Sequence, residues 1–132
     1  MTLDAFRVSQ RARDHLIKLK RLTAIPTWNV LCRWAFCMSL AEPTPVRAER
    51  IPADSSVEMT WRTFGGDCDS IYWALLKARC RRDGLALTAD VLAEQFRLHL
   101  HRGIGYLAGD PDVRSISGLV RKTLAKNTTE DA

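Results

Sequence analysis

The chain has 132 residues, a formal net charge of +5 at neutral pH and 46% apolar residues. That length and apolar share fit one folded domain, residues 1–132, with a core of its own, and exclude a chain too polar to fold. No run approaches the roughly 20 apolar residues that span a bilayer, so no membrane partner is expected.

The opening residues, Met1 to Arg7, have neither a basic n-region nor an apolar h-region, and a cytoplasmic location is the expectation. Residues 4–9 alternate, with Phe6 and Val8 on one side and Arg7 and Ser9 on the other, and predict a short strand or extended arm. Ser9 can cap a helix to about Thr23, whose apolar side is Val8, Ala12, Leu16, Leu19 and Leu22, with His15 at its edge. Pro26 ends that helix, and Thr27 starts a second one to about Leu40, with Val30, Leu31, Trp34, Ala35 and Met38 inward. Thr27 and Asn29 place short polar side chains at a helix N-terminus, where free N–H groups can hold a phosphate. Arm, basic helix, turn and second helix follow the order of a ribbon-helix-helix first half.

Residues 41–56 hold three of the five prolines and predict a surface loop; 57–64 alternate and predict a further strand or extended segment. The 41–66 stretch is thus extended, followed by C-terminal helices over 67–126 and a tail at 127–132. The first of these helices starts at Asp67 or Asp69 with Ile71, Tyr72, Leu75, Leu76 and Cys80 inward, and stops at Asp83-Gly84. The next begins near Thr88 with Val91, Leu92, Phe96, His99 and Leu100 inward; Gly103 and Gly105 thin its far end so that another backbone can approach. The last, about 112–125, turns Val113, Ile116, Leu119, Val120 and Leu124 inward. The fold class is mainly α: a compact helical domain with a short N-terminal extended arm.

Charge is unevenly placed. Residues 1–40 carry Arg7, Arg11, Arg13, Lys18, Lys20, Arg21 and Arg33 against Asp4 and Asp14, whereas residues 41–132 carry 13 basic and 13 acidic residues. The excess at one end points to a polyanionic partner, or to a solvated basic face. Trp28, beside this region, is the tryptophan to test for nucleic-acid contact. Cys32, Cys37, Cys68 and Cys80 form no CxxC pair and predict reduced, buried, small apolar residues, although a single thiolate could carry a persulfide. Asp67, Asp69 and Glu58 could hold magnesium in a nickase; the plainer reading is a helix start. His99 and His101 with Arg102 could meet phosphate, but histidines two apart on a helix point to different sides. No glycine-rich phosphate loop and no cofactor site are apparent.

The stretch from Asn29 to Pro43, NVLCRWAFCMSLAEP, resembles the NxLCRxxxCxSLxEP signature of the DndE family, the small subunit of bacterial DNA phosphorothioation systems. The resemblance continues through Thr60 to Asp67, Tyr72 to Lys77 and Gln95 to Ile104, in order, over roughly residues 7–107. It implies a mainly helical, homo-oligomeric protein, a dimer or tetramer, that acts where sulfur replaces a non-bridging phosphate oxygen of DNA. Its implied partners are a cysteine desulfurase, a reductase-like sulfurtransferase and an ATPase subunit. It further implies binding of nicked double-stranded DNA through surface cations, for which the candidates are Arg7, Arg11, Arg13, Lys18, Lys20, Arg21, Thr27, Asn29, Arg33 and Arg102. A metal-dependent nickase and an assembly subunit docking on an acidic partner are the alternatives.

Overall fold

The computed structural model describes residues 4–110 and Val120. In chain order these form strand β1 (Ala5–Arg7), helices α1 (Gln10–Thr23) and α2 (Trp28–Ala41), strand β2 (Glu58–Thr60), the short helix α3 (Trp61–Gly65), a 3-10 turn (Gly66–Cys68), and helices α4 (Asp69–Arg82) and α5 (Ala89–Gly109). The expected helix over 112–125 lies outside the described residues except for Val120, which is helical and exposed rather than inward.

Each start has a local cause. The Ser9 hydroxyl accepts a hydrogen bond from the Ala12 N–H at 3.1 Å and opens α1. At its end Ala24 takes a left-handed conformation (φ 60°), its N–H bonding the Lys20 carbonyl, before Pro26 redirects the chain. Strand β1 pairs antiparallel with β2, Phe6 opposite Met59 and Arg7 opposite Glu58. The strand–helix–helix order is therefore present, and β1 takes its partner from the same chain. The extended segment expected over 57–64 is shorter than predicted. Thr60 accepts from the Thr63 N–H and turns Trp61–Gly65 into a helix, a capping choice that competes with period-two patterning.

An aromatic cluster fills the centre. The Phe96 ring lies 4.8 Å from Phe6, 5.0 Å from Phe64, 5.1 Å from Trp61 and 5.2 Å from Phe36, mostly edge to face, as ring quadrupoles favour. Around it α2 and α5 pack most closely. At Gly103 a Cβ would stand 1.7 Å from the Ala35 carbonyl oxygen, whereas at Gly105 it would meet open space. The close backbone approach expected of both glycines belongs to Gly103 alone.

Helix α4 corrects a second expectation. Tyr72, Leu76 and Cys80 face inward, but Ile71 and Leu75 are exposed at 57% and 43%. The helix turns Arg79 inward instead, where it pairs with Asp83 at 2.9 Å and donates to the carbonyls of Leu40, Pro43 and Thr44. A guanidinium with that many acceptors fixes the helix's rotation against the apolar pattern. Of the cysteines, Cys32 and Cys80 are buried as expected, while Cys37 and Cys68 are exposed.

His99 is fully buried between these helices. Its Nδ1 lies 2.8 Å from the Ser39 hydroxyl, and its Nε2 has no hydrogen-bond partner among the described residues. Burial, with Arg102 and Arg79 nearby, holds its pKa down to about 4. The unfolded chain therefore binds a proton below about pH 6.5 that the folded chain refuses until about pH 4. Stability from this group is complete above pH 6.5 and drains as pH falls through that window. The melting temperature is expected to drop between pH 6.5 and 4, and less steeply in a His99→Gln variant; equal slopes would contradict the assignment.

Candidate nucleic-acid interface

Helix α1 buries Ala12, Leu16 and Leu19, and this fixes where its cations project. At 3.6 residues per turn, Arg13 and Lys20, seven apart, share one flank of that buried stripe. Arg11, His15 and Lys18 share the opposite flank, and Arg21 points outward with Asp14 and Ile17 between them. The basic face read from the sequence is thus two rows on either side of a ridge.

The Arg13 and Lys20 row faces the start of α2. A groove of about 580 Å³ is lined there by Arg13, Lys20, Thr27, Trp28 and Asn29, and on the far side by Ser56, Glu58 and Thr63. Lys20 Nζ sits 4.4 Å from the centroid of the Trp28 ring, a cation–π contact that holds the ammonium over the groove. Thr27 is exposed, and its hydroxyl makes no capping bond, in contrast to Ser9, Thr60 and Thr88, which all close their helices. The Trp28 and Asn29 amides of α2 consequently remain open to an anion, reinforced by the helix dipole, while the Val30 N–H is taken by the Asn29 side-chain oxygen. Glu58 is the one carboxylate lining this groove, and Arg7 pairs with it across the strands at 2.5 Å. Arg13 and Arg21 make no ion pair among the described residues.

Other predicted residues lie elsewhere. Arg33 donates from Nε to the Phe64 carbonyl and from Nη2 to that of Thr63 at 3.3 Å, stapling α3 onto α2. Asn29 donates to the same Thr63 carbonyl at 3.2 Å and accepts from Val30 N–H, so its amide positions the groove wall. Arg102 donates to the Ser39 hydroxyl and to the carbonyls of Ser39 and Thr44, closing the C-terminal end of α2. Lys18 Nζ donates to the Ala108 carbonyl at 2.8 Å, and Arg11 faces the loop after α2. Of the ten residues, Arg13, Lys20, Thr27 and Asn29 are brought together, with Arg7 behind them, while Arg11, Lys18, Arg21, Arg33 and Arg102 are not. Ser56 joins the groove from a loop position that no sequence pattern marks.

The possible acidic trio is not assembled. Asp67 and Asp69 lie 3.4 and 3.5 Å from Arg62, and Glu58 is with Arg7. Among the described residues no three His, Cys, Asp or Glu side chains are placed to share a metal ion. His101 donates from Nδ1 to the Arg97 carbonyl at 2.8 Å and accepts on Nε2 from the Ser9 N–H at 3.1 Å, so both nitrogens hold backbone and it faces away from His99. No described helix is long and apolar enough to cross a membrane.

The same fold occurs in solved structures. DndE from Escherichia coli B7A, described as involved in DNA phosphorothioation modification, superposes with a TM-score of 0.68 at 24% identity, over 81% of this chain and 98% of that one. A DndE mutant with two glycines replaced by lysine superposes at 0.63 with 21% identity and the same coverage. No curated protein matches the sequence significantly. The family model of the DNA sulphur modification protein DndE matches residues 5–115, further in both directions than the 7–107 read from the motif blocks. The chain therefore belongs to the DndE family of DNA sulphur modification proteins.

Proposed function

We propose that the chain is a non-catalytic accessory subunit of a DNA phosphorothioation complex that grips the backbone of double-stranded DNA through the groove at the start of α2. The observation that carries this reading is the meeting of Arg13, Lys20 and the uncapped α2 N-terminus around a groove whose Glu58 is already paired. Cations and open amides recognise phosphate without reading bases, so such contacts position a protein on a duplex. Trp28, with Lys20 on its ring, offers an apolar face to a sugar or an unstacked base.

A nick loosens the duplex and lets a backbone bend into a concave surface, so nicked duplex is the preferred form in this reading. The surrounding assembly is the one the family likeness implies: a homo-oligomer working beside a cysteine desulfurase, a reductase-like sulfurtransferase and an ATPase subunit. A binding titration with intact and singly nicked duplex of the same sequence tests it. Tighter binding of the nicked form is expected, and equal affinities would remove the preference.

A magnesium-dependent nickase is the competing account, and the engagement of Glu58 by Arg7 and of Asp67 and Asp69 by Arg62, with no three such ligands grouped among the described residues, argues against it. Supercoiled plasmid incubated with the protein and magnesium is expected to remain supercoiled. Relaxation that disappears in an Asp67→Ala variant would establish the enzyme instead.

A further inference from the structure

On the other flank of α1 lies a second groove, of about 540 Å³, walled by α1, α5 and the segment between α2 and β2. We propose that it is a binding site for a single 5′-phosphorylated nucleotide, with Arg47 and Arg50 on the phosphate and the Tyr106 ring beside the base.

The segment that roofs this groove is held at both ends. Near its start the Thr44 carbonyl accepts from Arg79 and Arg102. Near its end Arg97 donates to the carbonyls of Ile51 and Pro52, Asp54 accepts from the Gln10 N–H at 2.8 Å, and the Ser55 hydroxyl donates to the Val8 carbonyl. Between these anchors the backbone arches over α5 and carries Arg47, Glu49 and Arg50. A loop fixed in this way presents its side chains with little ordering left to do on binding.

The arginines that hold or line the groove divide into two sets. Arg79, Arg97 and Arg102 are occupied by the carbonyls that hold the arch, whereas Arg47, Arg50 and the facing Arg11 are exposed and make no hydrogen bond or ion pair among the described residues. Against these three cations stands Glu49, since Asp54 is engaged at the start of α1. Free guanidinium groups converging on one volume favour a doubly charged terminal phosphate, which they can bind bidentately.

The rest of the lining is not what a bare anion needs. Leu98 and Ile104 form a buried floor, and Val46 and Ile51 close the sides. The Tyr106 ring is 44% exposed at the mouth, with the Arg102 guanidinium 5.7 Å from its centroid. His101, both nitrogens bonded to backbone, adds no free charge. An apolar floor, an exposed aromatic ring and a cationic rim in a volume of ligand-pocket size match a base, sugar and phosphate together.

Calorimetric titration of the full chain with a tetranucleotide bearing either a 5′-phosphate or a 5′-hydroxyl tests this. The phosphorylated form is expected to bind at least about tenfold tighter, the worth of one good charge-assisted contact. Arg47→Ala/Arg50→Ala should erase that preference, whereas Arg81→Ala/Arg82→Ala, which removes two exposed α4 arginines outside the groove, should keep it. Tyr106→Leu should weaken both oligonucleotides equally. Deoxyadenosine monophosphate binding as tightly as the oligonucleotide would make the free nucleotide the ligand, and weaker binding would make it a strand end. Equal affinity for both 5′ forms, or the same loss in the α4 control, would overturn the proposal. The Arg13→Glu/Lys20→Glu chain should retain this selectivity, so the two grooves succeed or fail separately.

Discussion

Arg13→Glu/Lys20→Glu is expected to lower the affinity for a short DNA duplex by about 100-fold or more near 0.1 M salt, with helicity and oligomeric state unchanged. Both side chains line the groove at the start of α2, and neither supports the core. Each reversal removes a phosphate contact and sets a carboxylate against the polyanion, and a charge-assisted contact alone is worth about 1.5–3 kcal/mol. Two such losses compound, since a factor of ten in affinity is about 1.4 kcal/mol. Arg81→Glu/Arg82→Glu, an equal charge change on the exposed end of α4, should cost far less. Comparable losses from both pairs would mean that overall charge, and not this groove, attracts DNA. Lys18→Glu separates the two rows of α1, because Lys18 leans on the Ala108 carbonyl across the other flank and its loss should hardly change duplex affinity.

Gly103→Ala is expected to destabilise the fold by about 3 kcal/mol or more, read from chemical denaturation. Overpacking typically costs about 1–3 kcal/mol where side chains can shift, and here the obstacle is the Ala35 carbonyl in the backbone of α2. A contact of 1.7 Å cannot be relieved by a rotamer change, so α2 and α5 must part and loosen the packing of Phe36 against Phe96. Against a total stability of roughly 5–15 kcal/mol that is a large fraction. Gly105→Ala, two residues along the same helix, meets open space and should stabilise by about 0.5–1 kcal/mol through helix propensity alone. Variants of similar stability would show that the helices are not in this close contact.

Local chemistry in the sequence carried the helices well. Ser9, Pro26 and Gly84 act within a few residues of themselves, and the boundaries they predict for α1, α2 and α4 fall close to those observed. Two failures stand out, the first with a non-local cause and the second with a local one. Ile71 and Leu75 fit an inward stripe on α4, but Arg79 finds its acceptors at the end of α2, and that choice rotates the helix. Trp61 to Phe64 alternate like a strand, and the Thr60 hydroxyl diverts them into a helix.

For the candidate groove, the sequence carried the charge of its segment but not the arrangement of its side chains. Segment charge located the cations of α1, yet which of them stand free depends on contacts over 30 residues or more in sequence. Arg33 and Arg102 look like surface arginines until Phe64 and Thr44 supply carbonyls for them. Arg7, a candidate for DNA contact in the sequence, pairs with Glu58, a pairing that only the strand register reveals. The same charge count hid Arg47 and Arg50, because acidic residues elsewhere in the second part of the chain balance them.

Whether phosphate is the ligand of the α2 groove is read most directly from duplex affinity measured across a salt series, with the Arg13→Glu/Lys20→Glu chain alongside. The logarithm of affinity should fall linearly with that of salt, at about 0.9 per phosphate neutralised, and the slope should become shallower by about two in the variant. A native affinity indifferent to salt, or one slope shared by both chains, would contradict the account.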